Sequence, residues 1–169
     1  TEAGGTEHSV VIAGGKFYEY NWGANTFSET ISAANFATAS ITVSTTARIH
    51  ALDFAGLKLF TDGVNKPWTW NGAAGAGGLV SLTNAPVIYG QPWQYFGRWM
   101  GIKGTTTATR ISIVWSEVGT PNTGFEAGGF LNLWDVAQTS RAIFFAGAST
   151  NESVVLCRAN SATRLTGAV

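Results

Sequence analysis

His8 and His50 are the two histidines of this 169-residue chain, and Cys157 is its single cysteine. A zinc centre needs three or four such ligands at short, regular spacing, so no metal site and no cofactor is expected. Glycoside hydrolysis asks for two carboxylates across one cleft, one of them kept protonated by burial. Asp53, Asp62 and Asp135 are the only aspartates. Glu117 and Asp135 can be nominated as such a pair, but Asp62 or Glu126 serves equally well, and the sequence does not choose among them. Ser9, Ser116 and Ser153 lack the Gly-x-Ser-x-Gly frame of a strained nucleophile turn. No Gly-x-x-x-x-Gly-Lys stretch is present to cradle a phosphate. Cys157 follows Val154-Val155-Leu156 and reads as a small buried hydrophobe rather than a reactive thiol. A non-enzymatic protein is the expectation.

Seven tryptophans offer a different chemistry. Trp22, Trp68, Trp70 and Trp93 lie in or beside turn sequences, where an exposed indole face could stack on a sugar ring. Packing between sheets would account for the same residues. A carbohydrate-binding function therefore stands as the alternative to a purely structural one.

The elements that would position these residues show a repeat. Gly15-Lys16-Phe17-Tyr18-Glu19-Tyr20, Gly56-Leu57-Lys58-Leu59-Phe60-Thr61 and Gly97-Arg98-Trp99-Met100-Gly101-Ile102 each begin 41 residues after the last. Each runs from glycine into a strand pattern. A strand-type repeat of about 40 to 45 residues is the mark of β-propeller blades. The predicted class is all-β: a β-propeller-like array of antiparallel blades, whole or partial, forming one domain or a fragment of one over residues 1–169. A divergent fourth unit begins near Val154, displaced by an insertion around residues 119–127. Strands are predicted at Ser9–Ala13, Lys16–Tyr20, Thr26–Ser32, Ser40–Ser44, Ile49–Asp53, Leu57–Thr61, Trp68–Trp70, Leu79–Leu82, Gln94–Phe96 and Arg98–Ile102. Five more follow at Arg110–Trp115, Gly129–Leu133, Ala142–Phe145, Val154–Cys157 and Ala162–Leu165. Residues 72–78 read as a flexible loop, and residues 32–39 as either a short helix or an irregular crossover.

Ten basic and ten acidic residues cancel, so no overall field gathers nucleic acid or an anionic membrane. No run of about 18 apolar residues suggests a membrane span. Glu2 and Glu7 stand where a secretory signal would be basic. The start at Thr1 and the strand-like ending suggest a piece of something longer.

Two resemblances attach to particular residues. Thr61-Asp62-Gly63 with Trp68 resembles the Asp-box turns of sialidase-type propellers, in which the Asp caps a hairpin and has a structural role. The second covers about residues 87–167. Gly97-Arg98-Trp99-Met100, then Trp115-Ser116-Glu117-Val118-Gly119-Thr120-Pro121 after a hydrophobic strand, then Phe130-Leu131-Asn132-Leu133, and finally Ser161-Ala162-Thr163-Arg164-Leu165-Thr166-Gly167 resemble bacteriophage β-propeller tail proteins of the hub, nozzle or tail-tubular type. The turn motif is Trp-Ser-Glu-x-Gly-x-Pro and the terminal one Ser-x-x-Arg-Leu-x-Gly. Family members are longer than this chain and carry a further domain. The resemblance implies a structural virion protein located in the tail. It implies a ring of identical subunits around the DNA exit channel, contacts with adaptor, fibre or spike proteins, and transient passage of DNA without specific binding. It gives Trp115, Ser116, Glu117, Gly119, Pro121, Ser161, Arg164 and Gly167 structural roles: Ser116 and Glu117 tie the turn before Pro121, and Ser161 and Arg164 satisfy a strand end.

Overall fold

A computed structural model describes residues 8–103 and 112–123 in full. It also describes the backbone of four strand segments, 130–132, 146–149, 153–158 and 161–166. Four antiparallel meanders follow one another along the chain. The first sheet comprises β1 (Val10–Ala13), β2 (Lys16–Asn21) and β3 (Thr26–Ile31). The second comprises β4 (His50–Phe54), β5 (Leu57–Thr61), β6 (Trp68–Trp70) and β7 (Leu79–Ser81). The third comprises β8 (Ile88–Tyr95), β9 (Arg98–Lys103), β10 (Ser112–Trp115) and β11 (Phe130–Asn132), and the fourth β12 (Ala146–Ser149), β13 (Ser153–Arg158) and β14 (Ser161–Thr166). The described residues are all-β apart from one short helix, α1 (Ala33–Thr38), and a single 3-10 turn at Ala76–Gly78 inside the predicted 72–78 loop.

The 41-residue repeat is a repeated hairpin turn. Ala13 pairs with Lys16, Phe54 with Leu57 and Tyr95 with Arg98, leaving two residues between the strands each time. Both central residues have positive φ: 57° and 73° at Gly14 and Gly15, 51° and 75° at Ala55 and Gly56, 46° and 68° at Phe96 and Gly97. That is the type I′ turn, whose twist matches the right-handed twist of the strands it joins. Glycine occupies its second position because a side chain there costs roughly 1–2 kcal/mol. Gly15, Gly56 and Gly97 therefore mark the middle of the first hairpin of each sheet, and the units start earlier, at β1, β4 and β8. Val154 likewise falls in β13, the second strand of a sheet that starts at β12.

Side chains alternate between the faces of each strand, and both faces of the second sheet are buried. Phe60, Trp68 and Trp70 pack against Phe17, Ile31 and Phe36 on the first-sheet side. Phe54 and Leu59 join Ile88, Trp99 and Val114 on the other. The third sheet repeats the arrangement: Trp99 and Val114 point back, while Trp93, Met100, Ile102 and Ile113 form a cluster on the opposite face. The fourth sheet follows, with β12 beside β8 and β9. Each buried aromatic removes roughly 150–250 Å2 from water, a transfer term of about 4–6 kcal/mol at 25 cal/mol/Å2 before entropy is charged. Between the second and third sheets, Thr61 Oγ1 donates to Gly90 O at 2.9 Å and Gln91 Nε2 to Ala51 O at 2.7 Å.

Residues 32–39 resolve as the helix. Ser32 and Asn35 form a capping box, with Asn35 N donating to Ser32 Oγ and Ser32 N to Asn35 Oδ1. Ser40, at φ 55°, ends the helix: Ser40 N bonds Ala37 O and Ile41 N bonds Phe36 O. This is the Schellman pattern, and the Ile41 and Phe36 side chains meet in one core cluster.

Two sequence expectations need correction, and a third is not tested. Residues 40–44 form no strand, because Ser40 and Ile41 close the helix and Ser44 N is taken by a side chain described below. The Gln94–Phe96 strand begins at Ile88 and stops at Tyr95, with Phe96 in the turn. Gly90 and Pro92 disguised that beginning, where the pairing with β9 slips between Tyr89 and Trp93. The predicted Ala142–Phe145 strand lies outside the described residues.

Candidate functional site

Two of the polar side chains singled out by the sequence, Asp62 and Ser116, sit buried in two turns. The first follows β5. Asp62 is buried, 5% exposed. Its Oδ1 accepts Val64 N at 3.0 Å and Asn65 N at 2.7 Å, and its Oδ2 accepts Ser44 N at 2.9 Å and Asn65 Nδ2 at 2.8 Å. Gly63 continues the turn at φ 74°. Burial alone would raise the Asp62 carboxyl, but the hydrogen bonds from Asn65, Val64 and Ser44 outweigh it and hold the group below the usual carboxylate range. An acid so depressed stays ionised and cannot serve as a proton donor near neutrality. It fastens the segment after α1 to the end of β5.

The second turn follows β10 and contains the Trp-Ser-Glu-x-Gly-x-Pro motif. Ser116 is fully buried. Its N–H donates to Trp99 O at 3.0 Å, and Trp99 N returns a bond of 3.1 Å to Ser116 Oγ rather than to a carbonyl. The hydroxyl thus carries the β9–β10 ladder one step past the strand and then donates to Glu117 O at 2.9 Å. Arg98 Nη1 donates to Ser116 O, Trp99 Nε1 to Pro121 O at 2.8 Å, and Gly119 N to Gly97 O at 2.8 Å. Glu117 closes the loop through its N–H to Thr123 O and through Oε2, which accepts Thr123 Oγ1. Asn84, in the link between the second and third sheets, donates twice to Asn122. The turn is a clamp over the β8–β9 hairpin. Among the described residues no histidine or carboxylate is hydrogen-bonded to the Ser116 hydroxyl, whose proton goes to Glu117 O.

Of the nominated carboxylates, Asp62 and Glu117 belong to different turns in different sheets, and Glu126 and Asp135 lie outside the described residues. Asp53 is ion-paired with Lys58. His8 Nδ1 lies 2.6 Å from Glu19 Oε1, and His50 Nδ1 is 3.3 Å from Gln91 Oε1. Among the described residues no group of three His, Cys, Asp or Glu side chains could hold a metal, and no helix is long and apolar enough to cross a membrane. Ser161 and Arg164 lie on β14, whose backbone alone is described, and Gly167 falls outside the described residues.

The four turn tryptophans separate. Trp68, Trp70 and Trp93 are 1%, 4% and 4% exposed and belong to the core clusters, so none offers a ring face to a sugar. Trp22 is 75% exposed. It stands in the β2–β3 turn against Tyr20, which also meets Phe27, with ring centroids 4.7 and 5.0 Å apart. Sequence reasoning missed the partners of both turns. Asn65, three residues after Asp62, carried a local signal as an Asx-type neighbour. Ser44 and the Asn84–Asn122 pair, joined across 18 and 38 positions, carried none. The chain matches no family model, no curated protein and no solved structure.

Proposed function

We propose that this protein is a non-enzymatic structural component of a bacteriophage virion tail, a propeller-type ring subunit of the hub or nozzle around the DNA exit channel. The observation that carries the reading is the Trp115–Pro121 motif. It resembles the tail-protein turn in sequence, and its polar groups are spent on holding the β8–β9 hairpin. The succession of four antiparallel sheets, with shared cores joining the first to the second and the second to the third, supports a propeller-type stack. A hydrolase would need two carboxylates presented to one cleft, and both oxygens of the buried Asp62 are taken up by Ser44, Val64 and Asn65. The lectin alternative keeps Trp22 alone of its four proposed aromatic platforms.

The role is mechanical: turns tied to neighbouring sheets resist shear, and the chain's formal net charge of zero is compatible with a channel wall that lets phosphate pass without a grip. The test is the native mass and composition of the assembly containing this chain, purified from its source. A closed ring of identical copies with other virion proteins attached is expected. A monomer that never copurifies with particles would refute the reading.

A further inference from the structure

Asn71-Gly72 is the only Asn-Gly step in the chain, and the fold leaves it open to reaction. It follows β6, with Asn71 exposed and Gly72 at φ 97°. Asn71 Oδ1 accepts Ala73 N at 2.9 Å, which folds the carboxamide back over its own following peptide and polarises its carbonyl. Asn71 N donates to Gly78 O at 3.1 Å, whereas Gly72 N–H has no acceptor among the described residues. Gly72 has no β-carbon to shield its nitrogen. The Asp62-Gly63 step, the nearest analogue, is protected: its carboxylate is buried, ionised and held at both oxygens, and an ionised carboxylate is a poor electrophile.

We propose that Asn71 is a self-modification site, where the protein's own backbone displaces ammonia and the product releases the 72–78 loop. Gly72 N gives up its proton and attacks Asn71 Cγ. The N–Cγ bond forms, the Cγ–Nδ2 bond breaks, and ammonia leaves with the proton, giving a cyclic imide. Water then opens the imide. Opening at Cγ gives aspartate, and opening at the Asn71 backbone carbonyl gives isoaspartate, whose main chain runs through Cβ and Cγ and is one carbon longer. The loop has no room for that carbon: a Cβ built on Gly78 would lie 2.7 Å from Asn71 Oδ1 and 2.6 Å from Ala73 O. Ala73 O also holds the indole of the buried Trp70, whose Nε1 donates to it at 2.7 Å, and Gly75 N donates to Thr30 O at the end of β3. Trp70 packs against Phe17 of the first sheet, ring centroids 5.4 Å apart. Isoaspartate therefore displaces Ala73, removes the indole's acceptor and frees the loop from β3, loosening the first sheet from the second. Aspartate keeps an oxygen for Ala73 N and leaves the loop in place. The inference goes beyond the role proposed above and stands whether or not the protein belongs to a tail.

The test incubates the full protein in mildly alkaline, isotopically labelled water. Peptide mass spectrometry, with fragmentation that separates isoaspartate from aspartate, is followed by hydrogen exchange. Asn71 should lose its amide at least about tenfold faster than the exposed Asn25 and Asn84. It should take up solvent oxygen, chiefly as isoaspartate, with loss of exchange protection at Gly75 N and the Trp70 indole. Gly72→Ala, which sets a β-carbon beside the attacking nitrogen, should slow conversion by about tenfold or more. Because that change also strains the turn, Asn71→Gln is a second variant, whose longer side chain disfavours the ring. It should keep its amide and an unchanging exchange pattern throughout. Asn71→Asp separates charge from chain length and should keep the loop protected. An Asn71 that stays intact, or converts no faster than Asn25 and Asn84, would overturn the site. Conversion that leaves Gly75 N and the Trp70 indole protected would overturn the release, as would an Asn71→Asp protein that has already lost that protection.

Discussion

Replacing Asp62 by Asn tests whether its carboxylate is a structural anion. The substitution keeps the shape and one acceptor oxygen, which can still receive Val64 N and Asn65 N. It puts an NH2 group where Oδ2 now accepts Ser44 N at 2.9 Å and Asn65 Nδ2 at 2.8 Å, so two donors face a donor. Hydrogen bonds to a charged group contribute about 1.5–3 kcal/mol each, and partial relaxation at a turn recovers some of that. A net loss of about 3 kcal/mol follows, or roughly 6–12 °C in Tm for a chain of this size. The pH dependence identifies the cause. The folded Asp62 sits below its unfolded value of about 3.9. Its contribution is therefore fully present above that value and is lost as pH falls through the folded one. The gap between wild type and Asp62→Asn, measured by denaturant unfolding followed by tryptophan fluorescence, should be wide at pH 7 and close as the solution is acidified below about pH 4. The other carboxylates titrate alike in both proteins and cancel. A gap under about 0.5 kcal/mol at pH 7, the scatter of ordinary surface substitutions, would refute the reasoning. So would a gap of constant size across the titration.

Three further substitutions probe the turns and the sheet contacts. Ser116→Ala removes the acceptor of the buried Trp99 N–H and should cost about 1–3 kcal/mol, with faster hydrogen exchange at that amide; unchanged exchange would show that the hydroxyl is dispensable. Ser40→Gly relieves the left-handed residue that ends α1 and should stabilise by about 1 kcal/mol, read as a higher denaturant midpoint at constant slope. Gly101→Ala drives a Cβ into the Ile88 side chain, with Cδ1 at 3.2 Å and Cγ2 nearer. It should cost about 1–3 kcal/mol, and combining it with Ile88→Ala should destabilise by less than the sum of the two single changes.

What could be read in the sequence was whatever is local. Two-residue turns demand glycine at the second position, so Gly15, Gly56 and Gly97 stood out at constant spacing even though they mark hairpin centres rather than sheet starts. Leu57–Thr61 and Trp68–Trp70 were found to the residue because alternation and flanking turn residues agreed. Ile88–Trp93 was missed because Gly90 and Pro92 oppose a strand locally, while the pairing with β9 and the bond from Thr61 to Gly90 O hold it extended. Ser40–Ser44 failed for the opposite reason: β-type residues were pre-empted by the helix end and by Asp62, 18 positions beyond Ser44. Among the tryptophans, nearness to a turn did not decide exposure. Trp68 and Trp70 share a face of β6 directed at the first sheet, whereas Trp22 lies in the β2–β3 turn.

The division of labour among polar and aromatic residues bears on where activity can reside. Asp62, Ser116 and Trp99 look like chemistry in one dimension, yet each has its polar atoms satisfied by backbone groups of another strand or turn. A buried polar group bonded in this way gains its stability from being fixed, and moving it would expose unpaired donors at 1–3 kcal/mol apiece. Such groups hold one strand or turn in place against the next. Among the described residues, the aromatic face around Trp22 and Phe27 is where the largest apolar side chains meet solvent together.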